Sequence, residues 1–496
     1  MSDPGSDAPS LPESPIPDAP APVSPPAGKE GEPESGSLYA AHKKLYVRST
    51  TGRFARWRWI LVWLTQIIFF GLPWLTWNDR QAVLLHLVER KFYIFGWVFW
   101  PQDVLFLSIL LIVSAYSLFF FTAIAGRLWC GYACPQTVYT EIFLWIEEKI
   151  EGDHTARAKL DKAPMSGRKL ALKSAKYAVW AAFALWTGFT FVAWFSPLKG
   201  SEGLLASLLT FGFGPWETFW LFFYAAFTFV LAALLREQVC LYMCPYARFQ
   251  SVMFDPDTLI ITYDAARGEP RSLRRRGEDP AGRGDCVDCG ICVQVCPTGI
   301  DIRDGLQYEC IGCAACIDAC DIVMDKLSLP RGLVRYTTEH ALERGWGASE
   351  ILRHVLRLRT LIYGTILFGI IAAFIWGLAT RIPLRVGVIR DPSLGRVQGD
   401  MVVNDYLLKI MNMAETQRTF VVSVDGPEGI RLGDSKRITS GNQVTAEPTE
   451  NLEVNIEVMI PRGSGQPGSN RIYFEVVSKD DPGVKRREKA VFLYPN

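Results

Sequence analysis

The chain has 496 residues, 49% hydrophobic and 21% charged, with 12 cysteines and a formal net charge of +1. That near-neutral balance offers no basic face for nucleic acid, and a mean hydropathy of +0.13 beside so many charges means that the apolar residues lie in separate blocks. All the cysteines fall between Cys130 and Cys320, which excludes a small secreted fold stapled by disulfides and points to metal.

Residues 1–40 open as MSDPGSDAPSLPESPIPDAP and are dominated by Pro, Ser, Ala, Gly and acids. With almost nothing to bury, they are expected to form a disordered tail. They lack the basic start and early apolar core of a signal peptide. Five later blocks, at approximately 58–77, 104–125, 176–195, 217–235 and 360–380, are apolar. Each is about 20 residues long, enough for a helix to cross a ~30 Å hydrocarbon core. Val104–Ala125 has no charge at all, and a soluble core helix rarely lacks a polar face over five turns. Trp57, Trp77, Trp100, Trp129, Trp194, Trp216 and Trp376 sit near block ends, as an aromatic belt would. The stretch Val83–Trp100 is apolar but contains His86, Glu89, Arg90 and Lys91. Ionised groups in mid-span cost roughly 2.5–3.5 kcal/mol each, so this stretch is read as interfacial or re-entrant.

Lys and Arg set the orientation. The loop after the second block carries Arg127, Lys149, Arg157, Lys159, Lys162, Arg168, Lys169 and Lys173, whereas the loop after the third carries only Lys199. The positive side is the cytoplasmic one. The N-terminus, the 126–175 loop and the 236–359 region are therefore expected in the cytoplasm, and five spans put the C-terminus on the opposite side.

Two matching motifs follow the second and fourth blocks: Cys130-Gly-Tyr-Ala-Cys134-Pro135 and Cys240-Leu-Tyr-Met-Cys244-Pro245. Positions i and i+4 share a helix face, so each motif could present two thiols in one direction. Proline disfavours helix at the residue before it, which would free the second cysteine of each pair. Two matching pairs are expected to form a metal or redox site rather than four buried apolar thiols. Soft thiolates suit Cu(I), and also zinc or iron–sulfur; Met243 adds a thioether. A disulfide within each motif is disfavoured in the cytoplasm.

The strongest signal comes next. Cys286, Cys289, Cys292 and Cys296 form one C-x2-C-x2-C-x3-C run, and Cys310, Cys313, Cys316 and Cys320 form a second. In this spacing three thiolates of a run wrap one cubane and the fourth binds the other. The expected ligand sets for two [4Fe–4S] clusters are Cys286, Cys289, Cys292 and Cys320, and Cys310, Cys313, Cys316 and Cys296. Gly290 and Gly312 suit the tight turns. Asp321 stands where the pattern usually has proline, which leaves the geometry beside Cys320 open. Haem lacks ligands, because His42, His86, His154, His340 and His354 all lie outside the five blocks, and the chain has no P-loop or dinucleotide fingerprint. From about 385 onward, Val402–Met411, Thr419–Val424, Leu452–Ile460, Arg471–Val477 and Lys489–Tyr494 are short, β-branched and punctuated by turn residues, the pattern of an antiparallel sandwich.

The chain is thus expected to be a polytopic α-helical membrane protein with about five transmembrane helices. Residues 41–259 would form a four-helix membrane region with both C-x3-C-P motifs. Residues 260–345 would form a cytoplasmic two-cluster ferredoxin-like α+β insert, 346–384 the fifth span, and 385–496 an all-β immunoglobulin-like domain. This combination of motifs resembles the CcoG/FixG (RdxA) cytochrome c oxidase accessory proteins of the bacterial inner membrane. The resemblance implies a cupric reductase that supplies Cu(I) for a cbb-type oxidase, with Cys130, Cys134, Cys240 and Cys244 handling copper and the C-terminal domain in the periplasm. It implies a soluble electron donor and copper-delivery or oxidase-assembly partners. A homodimer is left open, and the rival readings are a quinol-linked electron carrier and a non-enzymatic copper-binding scaffold.

Overall fold

The computed structural model describes residues 44–201, 203–273, 282–392, 395–433 and 441–495; the tail 1–40 and His42 lie outside them. Among the described residues, three helices are long and apolar enough to cross a membrane: Pro101–Ala125, Pro215–Leu235 and Leu358–Ala379. The most apolar stretch of the first is 0% buried inside the protein, so its leucines face outward, a surface suited to lipid. Its start is fixed by the Asp103 carboxylate, which accepts from the Trp100 amide at 3.1 Å. Gly126, at φ +52°, ends it.

The first and third expected blocks are also helical, as Arg53–Gly71 and Gly167–Ala193. Both show large apolar side chains outward, such as Trp63, Ile67, Leu185 and Trp186. They bury long polar side chains, namely Arg58, Gln66 and Lys176. The first helix stops at Gly71 rather than at residue 77. A short turn, Leu72–Trp74, follows it, and the backbone is extended from Thr76.

The ambiguous 83–100 stretch is a three-stranded antiparallel meander, Val83–His86, Lys91–Ile94 and Trp97–Phe99. Glu89 and Arg90 fall in its first turn, where Arg90 takes φ +57°, so the charges sit at a tip rather than in mid-span. Leu84, Tyr93, Val98 and Trp100 pack around Met413 of the C-terminal domain. Buried Asp103 pairs with Arg381 at 2.5 Å and Arg385 at 3.1 Å. Glu415 pairs with Arg80 and accepts from Asn78 at 2.7 Å. The meander is therefore the seat of the β-domain.

That domain has two sheets. One is ordered Arg431–Leu432, Asn451–Pro461, Met401–Asn412, Leu384–Arg390, and the other Gln443–Ala446, Arg418–Asp425, Gly468–Ser478, Lys485–Tyr494. In Asn451–Pro461 the alternate residues Leu452, Val454, Ile456, Val458 and Ile460 are buried, as a strand with one face on a core requires. Tyr406, Phe420, Phe474 and Phe492 fill the space between the sheets. All five expected strands are present, each slightly longer. Leu384–Arg390, Arg396–Gln398, Arg431–Leu432 and Gln443–Ala446 are additional; the first follows the last apolar helix directly, so its start is hidden by that block.

On the helical side, Glu147 of the Pro135–Glu151 helix is buried among three cations: Arg236 at 2.9 Å, Lys176 at 3.2 Å and Arg157 at 3.4 Å. Lys173 bridges Glu151 at 2.9 Å and Asp161 at 2.6 Å. Lys169 donates to the carbonyls of Asp161 and Ala163. Arg157, Lys169 and Lys173 are thus held by internal partners, which dilutes the charge bias that the 126–175 loop offers to a membrane surface.

Candidate functional site

Two antiparallel strands, Ile260–Tyr263 and Val334–Thr337, close the base of the cysteine-rich insert. Above them lie two cavities. One is lined by Cys286, Cys289, Cys292 and Cys320. The other is lined by Cys296, Cys310, Cys313 and Cys316, with Cys292 on the shared wall. The expected exchange of the fourth cysteine between runs is therefore present as a spatial grouping. The reason is local. Cys316 and Cys320 sit four residues apart on the Ala315–Leu327 helix and reach different cavities. Because Asp321 replaces proline, this helix runs on past Cys320, and the Asp321 carboxylate accepts from the Gly332 amide at 3.0 Å.

Both runs repeat one backbone. Asp288 (φ +48°) and Gly290 (φ +62°) match Gly312 (φ +69°) and Ala314 (φ +58°). Sequence reading found the two glycines; the left-handed conformation also falls on Asp288 and on fully buried Ala314. A non-glycine residue there costs roughly 1–2 kcal/mol, which the surrounding loop must offset.

The donor sets fit [4Fe–4S] groups. Among the described residues no three His, Cys, Asp or Glu side chains converge on a single-ion site; the thiols instead surround a volume. All twelve cysteines are unbridged. Burial pushes the thiols of Cys310 and Cys320 up to about 12 and that of Cys292 up to about 11. Only a strongly charged metal group would deprotonate them at neutral pH. Cys289 is the exposed member of the set, while Cys286 and Cys313 are buried.

The two membrane motifs meet beside the second cavity. Cys130 lies on the short Leu128–Tyr132 helix, and Cys240 on the π-turn Val239–Met243. Cys134 and Cys244 are extended, with ψ 128° and 110°, each preceding a proline that starts a new helix. The pairs are therefore not displayed on one helical face; the helix breaks between their members. The four thiols lie close enough to affect one another. Burial first, and then the like charge of Cys134, Cys130 and Cys244, pushes Cys240 up to about 12. Met243 is 56% exposed, away from the packed part of the site.

Cys130 and Cys240 pack against an apolar group formed by Val295, Ile311, Cys313 and Ala315, with Cys316 on its edge. Gly131 makes that approach possible, since a Cβ there would lie 2.7 Å from the Gly312 oxygen and 2.8 Å from the Cys313 Cα. Arg127 stitches the pieces, donating to the carbonyls of Tyr308, of Cys310 (3.2 Å) and of Ala247 in the helix that follows the second motif (2.8 Å). Gln250, wholly buried, accepts from Cys130 Sγ at 3.4 Å. The internal repeat extends to the backbone. Four residues before the first cysteine of each motif, Gly126 has φ/ψ of 52°/−118° and Arg236 has 43°/−112°.

The insert is also held by the first helix. Asp318, between Cys316 and Cys320, accepts from the amides of Phe54 (3.2 Å) and Ala55 (2.7 Å), capping the positive end of that helix. Gly52 leaves the necessary room, since a Cβ there would fall 2.2 Å from the Asp318 carboxyl carbon. Gly131, Gln250 and Asp318 had no signal in the sequence beyond nearness to a cysteine, and Arg127 stood out only as a basic residue just upstream of the first motif.

Three family descriptions match the chain. A 4Fe-4S dicluster domain covers residues 235–339, a 4Fe-4S binding domain covers 106–151, and the IG-like fold at the C-terminal of FixG covers 374–495. The chain is 38% identical over 474 residues to the nitrogen fixation protein FixG of Rhizobium meliloti, covering 86% of this chain and 88% of that one. It is 37% identical over 459 residues to protein RdxA of Cereibacter sphaeroides, covering 90% and 96%. Among solved structures, a FixG-related protein from Vibrio parahaemolyticus matches with 22% identity and a TM-score of 0.20, covering 22% of this chain and 95% of its own.

Proposed function

The chain belongs to the FixG/RdxA family of membrane iron–sulfur electron-transfer proteins, and on that footing we propose that it is a cupric reductase. One observation carries this reading: Cys130 and Cys240 pack against the apolar group that contains Cys313 of the second cavity. Cys286, Cys289, Cys292 and Cys320 would hold one [4Fe–4S] cluster, and Cys296, Cys310, Cys313 and Cys316 the other. When bound, such clusters supply reversible one-electron storage over a wide range of potential. Cys292 joins the two stations, and exposed Cys289 makes the first the solvent-facing one. Gly131 and Arg127 hold the membrane thiols against the second. Cu(II) is the substrate: it takes one electron beside Cys130, Cys134, Cys240 and Cys244, which form no ready-made single-ion site and must close on the copper, their thiolates favouring Cu(I).

Five spans are proposed, the Arg53–Gly71 and Gly167–Ala193 helices joining the three most apolar ones. The insert then lies in the cytoplasm and the β-domain in the periplasm of a bacterial inner membrane. Cu(I) would pass to copper-delivery or oxidase-assembly partners of a cbb-type oxidase. Protein purified without oxygen is expected to hold about eight irons in two [4Fe–4S] clusters. A zinc-only protein would reject the relay, and about twelve irons would assign the membrane thiols to a third cluster instead of copper.

A further inference from the structure

A cavity of about 250 Å³ at the junction of helices and insert belongs to none of the cysteine groups. It lies between the 47–51 segment, the Arg53–Gly71 helix, the Pro135–Glu151 helix and the insert. Its inner wall includes Val295, Pro297 and Ala315, the sequence neighbours of Cys296 and Cys316. Its other side carries Trp59 and Trp145, whose rings meet edge to face at 6.3 Å. Next to them the helix surface is exposed and apolar, with Trp63 59% and Ile60 53% exposed. The cavity therefore joins a lipid-suited surface to the wall of the second cysteine site.

Its polar groups are unusual for such a place. Arg58 and Arg157 line it, are 7% and 3% exposed, and each leaves its Nε without a hydrogen-bond partner. A buried donor without an acceptor is costly; both Nε atoms are closed off behind the cavity wall, where the two guanidinium groups contribute fixed positive charge. Two carboxylates share the cavity: Glu141, 3.3 Å from Arg58, and Glu148, which accepts from Ser49 at 2.8 Å. Buried arginines, carboxylates and facing aromatic rings in one cavity match a flat ring bearing two oxygens. An anionic lipid headgroup would meet both signs of charge, since Arg48, Arg58 and Arg157 line the cavity with Glu141 and Glu148, and it is the rival occupant that the test separates.

We propose that this cavity binds the head ring of a membrane quinol and is where the protein takes its electrons. The proposal rests on the reading of the two cysteine cavities as [4Fe–4S] sites. Oxidation of the quinol to the quinone breaks two O–H bonds and releases two protons and two electrons. Glu141 and Glu148 take the protons and pass them to water. The electrons cross the Val295–Pro297–Ala315 wall, one for each cluster site, so the pair of clusters matches a two-electron donor to one-electron Cu(II).

The test uses the full-length protein with its iron, under anaerobic conditions. A short-tailed quinol is expected to reduce the wild-type clusters. Trp145→Ala and, separately, Glu141→Gln should each slow that reduction roughly tenfold or more, while dithionite reduction and later Cu(II) consumption stay unchanged. A photoreactive quinone should crosslink to residues 47–51 or 141–148, and excess quinol should compete it away. The proposal is overturned if quinol fails to reduce clusters that dithionite reduces, or if both variants keep the wild-type rate. It is equally overturned if the label maps elsewhere, or if vesicles rich in anionic phospholipid displace it where quinol does not. Should dithionite itself reduce nothing, the cluster reading fails, and the crosslink still reports on the cavity.

Discussion

Replacing Cys130 and Cys240 together by serine is expected to abolish Cu(II) reduction while leaving the iron content at the wild-type level. The two halves of that result come from different parts of the structure. Cys130 and Cys240 stand on the Leu128–Tyr132 helix and the Val239–Met243 turn and line neither cluster cavity. They nevertheless pack against the apolar group that contains Cys313 of the second one. Serine keeps the shape of cysteine but removes the soft donor that stabilises Cu(I). A loss of iron in the variant would mean that these thiols belong to the cluster shell. Unchanged Cu(II) reduction would mean that copper is reduced elsewhere. The comparison is read by metal analysis and by a Cu(I)-specific chelator on the same samples.

The second large effect is structural. Glu147→Ala is expected to cost roughly 3–5 kcal/mol, because it leaves Arg157, Lys176 and Arg236 buried without their shared anion. Burial alone would raise the Glu147 carboxyl, but Arg236, Lys176 and Arg157 outweigh it and hold the group down at about 2 rather than its usual 4.5. A depressed carboxylate contributes stability above its ordinary value and loses it as pH falls towards the folded one. The helical region should therefore weaken between about pH 4.5 and about 2, and the alanine variant should lack that pH dependence. Thermal unfolding of the detergent-solubilised protein, followed by helical signal, checks both. The β-domain, with its separate core, should melt unchanged. Arg236 shows why the network is worth its strain: it holds φ +43°, a conformation that Gly126 supplies at the equivalent position of the first motif.

What could be read from the sequence follows the distance over which each feature is specified. The two C-x2-C-x2-C-x3-C runs and the five β-domain strands are local patterns, and each has its expected place. The grouping of Cys320 with the first run and Cys296 with the second was also legible, because this spacing commonly gives the fourth thiol to the other cluster. The membrane pairs were visible through their repetition, yet their geometry was not. The i, i+4 argument assumed a continuous helix, whereas Pro135 and Pro245 begin new helices and leave Cys134 and Cys244 extended. Val83–Trp100 was hard to place because its apolar residues meet a partner 300 residues away, Met413. The same holds for Asp318 at the Phe54 and Ala55 amides, for Arg127 at the Cys310 carbonyl and for Glu147 at Arg236. No window of sequence contains both partners of such a contact.

The central claim is that electrons stored in the insert reach copper at the membrane thiols. The direct measurement is to reduce the protein anaerobically, remove the reductant, and mix it rapidly with Cu(II) while following cluster reoxidation and Cu(I) formation together. The account predicts that the two signals share one rate and yield about two Cu(I) per protein, one for each one-electron cluster. Clusters that stay reduced while Cu(II) remains unchanged would contradict it.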